Sequence, residues 1–386
     1  MSNNSVNTKK ILIIFPSLQP KNDEGSKHRL NSFIDVYSRN QFNVFVLAFI
    51  KGSILVNDKY LNKRAKWLFV PQVFPIARSK ILSKCYNLYV SMIIWGLTRI
   101  RKFDVVQMEM FGVDKKFVNT PQYIIDIHGD SYHEFVETYR GTKDHWYAYD
   151  QIKMQRLCVN CADILITVSE NLSKQLELNT QSIIKNNVII PCAIDLDKFN
   201  INHNNKKRIN ISDKIILGYC GGLQSWQNID KILNIIIRLN KLDPRVYFML
   251  YTNSDTNNIK CLLDELGQEN YSIKALKSHE VPEHLRLLDA GFLYRDNLTL
   301  NKVSSPTKIL EYLASGVALI CTEYSGDYST VSKIGENCYV VSDDISKIDY
   351  EDLLKWIINY KQSCRDNSYL DAYTFANKAK ALLAQL

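Results

Sequence analysis

The chain has 386 residues, of which 46% are hydrophobic and 23% are charged. These proportions are typical of globular proteins and exclude a fibrous or an intrinsically disordered chain. Lys and Arg number 48 against 40 Asp and Glu, and the resulting net charge of +8 suits an anionic membrane surface or a polyanionic substrate. No RNP pattern, zinc finger or basic zipper accompanies this charge, so we expect no nucleic-acid partner.

The sequence carries no signal for export and no membrane span. Residues 1–10 are polar and lack the apolar core of a secretory signal, and no apolar run approaches the ~20 residues that cross a bilayer. The nine cysteines are scattered and odd in number, which predicts reduced thiols. We expect a cytoplasmic protein whose contact with the inner face of the cell membrane is peripheral.

Residue types that bind metals occur without a convincing ligand set. Cys158 and Cys161 form a C-x-x-C, but no second pair follows and the segment has the pattern of a buried helix face. His128 and His133 are five residues apart and lack a clear co-ligand. We therefore expect neither a bound metal nor a cofactor.

Alternating strand and helix patterns predict two α/β domains, each with a doubly wound parallel sheet. The first domain opens with a strand from Lys9 to Phe15, a helix and a second strand. The second domain opens with a strand from Ile215 to Tyr219, then Gly221-Gly222 and a helix from about Ile229. The predicted boundaries are 1–199 for the first domain, 200–212 for a polar linker, 213–368 for the second domain and about 369–386 for a C-terminal helix.

The segment from Ser304 to Ile320 has the pattern of a loop, a helix, a turn and a buried strand. Ser304 or Ser305 is a suitable N-cap, Pro306 suits the first turn, and Gly316 ends the helix. The helix N-terminus and Lys308 together suit an anion such as a diphosphate. A capped helix with Lys308 and Glu311 three residues apart is also common as plain structure, so these residues alone leave both interpretations open.

The run Ser-Pro-Thr-Lys-x-x-Glu-Tyr-Leu-Ala-x-Gly, from Ser305 to Gly316, resembles the donor-binding motif of family 4 glycosyltransferases. The resemblance implies a GT-B fold, with two facing Rossmann-like domains and a cleft between them, and a C-terminal helix, about 369–386, that packs back on the first domain. It also implies retaining transfer of a sugar from a nucleotide-diphosphate donor without a bound metal. By this resemblance Lys308 meets the donor diphosphate and Glu311 meets the ribose.

Three further segments match the same family in part. Asp-x-His-Gly around His128 resembles the strand-end histidine at the reacting sugar, although a lone histidine is usually structural. Gly25 resembles the flexible glycine loop over the active site, with Ser26 in place of a second glycine, and Arg29 follows at the carboxyl end of the first strand. The loop that contains Glu280 and Val281 resembles the one whose backbone holds the nucleobase. An ordinary loop glycine and an ordinary capped turn remain the alternatives for these last two segments.

The chain departs from the family at two places that matter for activity. The family usually has an Arg and a Lys after the Gly221-Gly222 turn, and both are missing here, so Arg295 at the end of a later strand is a candidate replacement beside Lys308. The glutamate expected near the transferred sugar is replaced by Val303, for which Asn301 and Ser304 are candidate substitutes. Trp226 either stacks on the nucleotide or packs.

The candidate site residues fall into three groups: His128, Lys308 and Arg295 for catalysis; Gly221, Gly222, Glu280, Val281, Ser304, Ser305, Lys308 and Glu311 for the donor; and Gly25, Ser26, Arg29 and Asn301 for the acceptor or its sugar.

The sequence thus predicts a glycosyltransferase that uses a nucleotide sugar and a lipid-linked or oligosaccharide acceptor in bacterial surface-polysaccharide synthesis. The departures suggest an alternative, a non-catalytic GT-B subunit that activates a partner transferase. A nucleotide-sugar 2-epimerase on the same fold is a third possibility. The segment from Arg78 to Lys102, in which basic and apolar residues alternate, is either a helix that lies on anionic lipid or one that covers the sheet.

Overall fold

A computed structural model describes residues 8–18, 25–50, 61–72, 79–138, 144–199, 213–326, 337–362 and 368–386. The chain divides into two compact units, Met1–Cys192 with Lys378–Leu386 and Ala193–Asn377. The predicted linker, residues 200–212, lies outside the described residues, as does Arg78.

The first unit is built on seven parallel strands in the order β3-β2-β1-β4-β5-β6-β7. The order reverses between β1 and β4, as in a doubly wound sheet. The strands are β1 (Lys10–Leu18), β2 (Asn43–Ile50), β3 (Ala65–Pro71), β4 (Val105–Glu109), β5 (Gln122–Ile127), β6 (Ile164–Thr167) and β7 (Asn187–Ile189). The helices are α1 (Gly25–Arg39), α2 (Lys80–Ile100), α3 (Ser131–His133), α4 (Trp146–Cys161) and α5 (Glu170–Thr180).

The central strands of this sheet are covered on both faces. Ile11 to Ile14 in β1 are at most 1% exposed, which explains why the strand has a continuous apolar sequence rather than an alternating one. Ser169 caps α5, because its hydroxyl accepts a hydrogen bond from Leu172 N at 3.0 Å. The sequence analysis missed β3, an edge strand that pairs only with β2 among the described strands and leaves Leu68 47% exposed.

The second unit is built on six parallel strands in the order β10-β9-β8-β11-β12-β13. The strands are β8 (Ile215–Cys220), β9 (Val246–Tyr251), β10 (Tyr271–Lys274), β11 (Ala290–Leu293), β12 (Ala318–Cys321) and β13 (Cys338–Val340). The helices are α6 (Leu196–Phe199), α7 (Ile229–Leu242), α8 (Lys260–Leu266), α9 (Val281–Leu285), α10 (Thr299–Val303), α11 (Thr307–Ala314), α12 (Tyr350–Gln362) and α13 (Phe375–Lys378). The last helix of the chain, α14 (Lys380–Leu383), belongs to the first unit. The predicted pair of doubly wound parallel sheets is confirmed.

Helix α7 shows how the sequence produces the packing in this unit. Ile232, Leu233 and Ile236 recur at helical spacing and are completely buried in the core with the strands. The predicted start of this helix at Ile229 is confirmed.

Helix α11 begins differently from the prediction. It starts at Thr307, Pro306 occupies the N-cap position, and no side chain caps it. The predicted serine N-cap was wrong, because the hydroxyl of Ser304 donates instead to Asn301 O at the end of α10, at 2.8 Å. The predicted end is confirmed, since Gly316 follows the helix with a φ of +71°, a conformation that favours glycine.

The two ends of the second unit pair with each other. Ile194 and Thr374 form an isolated parallel bridge, and Ile194 N donates to Tyr373 O at 3.3 Å. The segment that enters this unit and the segment that leaves it therefore run side by side.

Candidate functional site

In the second unit the strand order reverses between the neighbouring strands β8 and β11. Strand β8 leads into Gly221, and β11 leads into Tyr294 and Arg295. Open parallel sheets bind ligands at the carboxyl ends of the strands that flank such a reversal. The residues after β8 and β11, together with the start of α11, form the candidate site.

Lys308, in the first turn of α11, extends to the end of β8. Its ammonium donates to the Tyr219 hydroxyl at 3.1 Å and to Gln227 Oε1 at 3.0 Å, and it lies 4.7 Å from the centre of the Tyr219 ring. Burial, together with nearby Arg295, lowers the pKa of Lys308 to about 8, although Glu311 acts in the opposite direction. Both hydrogen-bond acceptors are neutral, so the ammonium charge is not balanced by them.

Arg295 is the second cation of the site. Its side chain is 7% exposed, and Nη1 donates to the Trp226 carbonyl oxygen at 2.7 Å. Within the described ranges, Arg295 Nε and Asn228 Nδ2 are buried without a hydrogen-bond partner, and burial lowers the pKa of Arg295. Leaving a buried donor unpaired costs about 1–3 kcal/mol. One of these unpaired donors belongs to the Arg295 guanidinium, which has no carboxylate partner among the described residues. This part of the site therefore suits an anion.

Gly221 has a φ of +148°, and a Cβ at this position would lie 2.5 Å from Lys308 Nζ. Only glycine satisfies both the conformation and the close approach of the ammonium. Gly222 follows, and its carbonyl oxygen accepts a hydrogen bond from the Tyr219 hydroxyl at 2.7 Å. The turn that the sequence proposed for phosphate binding is thus in contact with the predicted cation.

The start of α11 adds backbone donors. Because no side chain caps this helix, its first N–H groups and the positive end of its dipole are available to an anion beside Lys308. Ser305 is half-buried in the preceding loop. Its role and that of Ser304 in donor binding stay predictions.

Glu311 lies one turn after Lys308 and is half-buried. Burial raises the pKa of its carboxyl, and the opposing charges of Lys308 and Lys198 lower it. Among the residues that the structure describes, no group donates a hydrogen bond to this carboxyl. A hydroxyl-bearing ligand has a free acceptor there, in keeping with the predicted ribose contact, which stays a prediction.

Three other predicted residues of this unit have structural contacts. Glu280 is exposed, and its Oε2 accepts a hydrogen bond from Lys277 N at 2.8 Å, which lowers the pKa of the carboxyl. Val281 begins α9 and packs on the core. Asn301 is 2% exposed and donates to Asp296 O at 3.0 Å, so its amide closes the turn before α10. Their contacts with the nucleobase and the sugar stay predictions.

In the first unit, His128 directly follows β5, and Glu109 ends the neighbouring strand β4. Nδ1 of His128 lies 3.6 Å from Glu109 Oε1. Burial lowers the pKa of His128 to about 4 and raises the pKa of Glu109 well above its usual value. His128, which was predicted at the end of a strand, therefore lies next to a buried carboxyl.

Arg29, predicted to contact the acceptor, is buried and paired. It is 6% exposed and donates two hydrogen bonds to Asp126, from Nε at 2.7 Å and Nη2 at 2.6 Å. This buried ion pair joins α1 to β5, and a contact of Arg29 with the acceptor stays a prediction. Gly25 and Ser26 begin α1, and a Cβ at Gly25 would meet no atom within 4 Å, so the structure gives no steric reason for glycine there.

Two residues of the candidate site were missed by the sequence analysis. Tyr219 and Gln227 together accept the hydrogen bonds of Lys308. A hydroxyl-bearing residue at the end of a strand, just before Gly221-Gly222, is a signal that would have identified Tyr219. Gln227 offers no such signal, since it reaches Lys308 only through the turn that Ser225–Gln227 forms.

Two features are absent from the part of the chain that the structure describes. No group of three or more His, Cys, Asp and Glu side chains is arranged to hold a metal ion. No helix among them combines the length and the apolar sequence that crossing a membrane requires.

Neither the family models nor the sequences of curated proteins match this chain. Solved structures do. Sucrose-phosphate synthase from Thermosynechococcus elongatus has a TM-score of 0.73 at 11% sequence identity, over 98% of both chains. The lipopolysaccharide outer core galactosyltransferase WaaB has a TM-score of 0.66 at 13% identity, over 98% of this chain and 100% of its own. HepE from Anabaena, in complex with UDP, has a TM-score of 0.63 at 12% identity, over 97% of this chain and 95% of its own.

These similarities extend over nearly the full length of each chain, so they include both parallel sheets. The chain has the GT-B fold. At 11% to 13% identity the similarity is one of fold, and the side chains of this GT-B protein carry the evidence for its chemistry.

The pKa of Lys308 predicts how anion binding to this GT-B chain depends on pH. The ammonium form is the one suited to an anion, and in the free protein it is present below about pH 8. If Lys308 binds the diphosphate, the Kd for a nucleoside diphosphate should rise above that pH by about tenfold per pH unit, because binding must first restore the proton. Calorimetric titrations from about pH 7 to 9.5 measure this slope. A Kd that stays constant over the range would contradict the assignment.

Proposed function

We propose that this chain is a retaining glycosyltransferase that uses a nucleotide-diphosphate sugar. The observation that carries the proposal is the pair of buried cations, Lys308 and Arg295, which have no carboxylate ion-pair partner among the described residues. Both lie at the strand-order reversal with a glycine turn and an uncapped helix start. A diphosphate supplies the two negative charges and the acceptor oxygens that these groups lack.

The same groups account for catalysis. When the bond between the anomeric carbon and the diphosphate oxygen breaks, negative charge accumulates on the leaving diphosphate, and Lys308 and Arg295 stabilise it. The acceptor oxygen forms the new bond to the anomeric carbon on the face that the diphosphate leaves, and its proton passes to a phosphate oxygen. This sequence retains the anomeric configuration and requires no metal. By the family resemblance, His128 meets the transferred sugar.

A second candidate function is a non-catalytic GT-B subunit that activates a partner transferase. Val303, at the position of the expected glutamate, is 3% exposed and cannot accept a hydrogen bond from a sugar. Asn301, its candidate substitute, donates its amide to Asp296 O. A donor site without these contacts would bind the nucleotide and leave the sugar unoriented.

The test is a panel of nucleotide-diphosphate sugars, with calorimetric binding and donor hydrolysis measured for each. Transferase function predicts that one nucleotide is preferred and that its sugar conjugate binds more tightly or is hydrolysed faster than the others. It also predicts slow release of free sugar even without acceptor. Binding of the nucleotide without any sugar release supports the non-catalytic subunit. No binding of any member of the panel by the folded protein contradicts both functions. The anomeric configuration of the product distinguishes retention from inversion.

We further propose a lipid-linked acceptor of surface-polysaccharide type and a peripheral membrane contact through α2. One face of this helix is buried, and the opposite face exposes Ile81 by 73%, Leu88 by 59%, Met92 by 53% and Trp95 by 40%. These positions, spaced by seven, four and three residues, fall on one stripe. The exposed Lys84, Arg99, Arg101 and Lys102 accompany the stripe. Apolar and basic side chains on one helix face suit an anionic lipid surface.

Vesicle sedimentation tests the membrane contact. We expect the triple variant Leu88→Gln/Met92→Gln/Trp95→Gln to bind vesicles that contain phosphatidylglycerol about tenfold or more weakly, because it removes exposed apolar area that the bilayer would bury. Leu178→Gln/Ile183→Gln is the matched control, since those side chains are 71% and 82% exposed outside α2. Equal binding by the two variants would contradict the role of α2.

A further inference from the structure

A buried carboxyl and an imidazole face each other at the carboxyl end of the first sheet. Glu109, the last residue of β4, is 4% exposed, and its Oε1 lies 3.6 Å from His128 Nδ1. Both atoms are buried, and among the described residues neither has a hydrogen-bond partner. A 3.6 Å separation leaves no room for a bridging water, and a shift of a few tenths of an ångström brings the atoms into direct hydrogen-bond range.

The charges around the pair set its protonation. Arg29 from α1 is bound to Asp126 from β5 through the two short hydrogen bonds. Burial and Asp126 raise the pKa of Glu109 and outweigh the opposing charge of Arg29, and burial lowers the pKa of His128 to about 4. Among the described residues, Tyr37 and Cys192 are also titratable groups near Arg29 and Asp126. At neutral pH a protonated carboxyl therefore faces an uncharged imidazole.

We propose that Glu109 is a positioning residue for His128, donating its carboxyl proton to Nδ1 and keeping the imidazole proton on Nε2. Nδ1 is inaccessible while the His128 side chain as a whole is 23% exposed, so its accessible surface lies on other atoms. His128 then offers substrate an N–H donor and has no free lone pair. This inference rests on the proposed transferase function and deepens it, because it assigns His128 as a hydrogen-bond donor and not as the base that accepts the acceptor proton.

The protonation state is testable without any activity. Nitrogen-15 spectra of histidine-labelled protein, assigned with His128→Gln, should show Nε2 protonated and Nδ1 unprotonated at pH 7. The infrared difference spectrum between wild type and Glu109→Gln should contain the C=O band of a protonated carboxyl, lost in the variant. A doubly protonated His128, an Nδ1–H tautomer or the absence of that carboxyl band would overturn the proposal.

Kinetics test the positioning role. Glu109→Leu, which can neither donate nor accept, should lower kcat by on the order of tenfold to a hundredfold with little change in KM for the donor, because the imidazole loses its orientation. Glu109→Gln keeps a donor toward Nδ1 and should recover part of that loss. Equal kcat in Leu and Gln variants would overturn the role.

The two proposals fail in different ways. If the spectra show the neutral pair but wild type transfers no sugar, the transferase function fails and the Glu109–His128 pair stands. If wild type is active but His128 is charged at pH 7, the positioning proposal fails alone. The spectra of wild type and Glu109→Gln decide the question even where Glu109→Leu does not fold.

Discussion

We expect Lys308→Met to weaken the binding of a nucleoside diphosphate, with UDP as the probe, by about 100-fold or more, because truncating one side of a desolvated charge pair costs 2–5 kcal/mol. The ammonium has only neutral partners, Tyr219 and Gln227, in the ligand-free chain. Methionine keeps the aliphatic part of the side chain beside the Tyr219 ring while it removes the charge. Isothermal titration with UDP, with and without the substitution, measures the loss.

Stability separates this effect from unfolding. A buried ammonium without a counter-ion destabilises the folded state, so the melting temperature of Lys308→Met should be no lower than that of wild type. Lys260→Met is the control variant, since Lys260 is exposed at the start of α8. The assignment of the diphosphate site would be wrong if both variants bound UDP as wild type does.

The second large effect concerns folding. We expect Arg29→Met to lower the free energy of unfolding by about 3–5 kcal/mol, because it leaves the carboxylate of Asp126 buried and uncompensated. The two side chains are 4% and 1% exposed, and their hydrogen bonds join α1 to β5. Urea denaturation followed by circular dichroism measures the change.

Two further variants test this explanation. Arg29→Met/Asp126→Leu removes both charges and should recover much of the lost stability, since neither buried ion remains. Arg64 and Asp35 form an ion pair in which the two side chains are 50% and 39% exposed. Arg64→Met breaks this pair and should lower the free energy of unfolding by less than about 1 kcal/mol. A loss in the double variant as large as in Arg29→Met would show that packing, and not charge, holds this region.

The order of strands and helices was largely predictable because buried parallel strands have apolar sequences that local patterns reveal. Ala318 to Cys321, for example, is completely buried and uninterrupted by polar residues. Strand β3 lies at the edge of the sheet and is partly exposed to solvent. Its sequence therefore need not be continuously apolar, and the pattern did not reveal it. The predicted serine cap of α11 was wrong because the Ser304 hydroxyl donates to Asn301 O at the end of α10 instead.

The site was less predictable, since its contacts join residues that are far apart in the chain. Lys308 was found through a local motif, but its partner Gln227 is separated from it by 81 residues. Arg29 and Asp126 are 97 residues apart, and only the folded structure shows that they form an ion pair with each other. Sequence patterns indicate which side chains carry suitable chemistry, whereas tertiary packing decides which of them remain available.

The bridge between Ile194 and Thr374 has a consequence for how this protein can be altered. Because the entering and leaving segments of the second unit are neighbours, Ala193–Asn377 is a cassette with adjoining ends, inserted into the first unit. Units of this kind tolerate excision and exchange, since the remaining chain then has to span only a short gap. Recombination at these two points would transplant Lys308, Arg295 and Gly221 together and leave the Glu109–His128 pair with its original host.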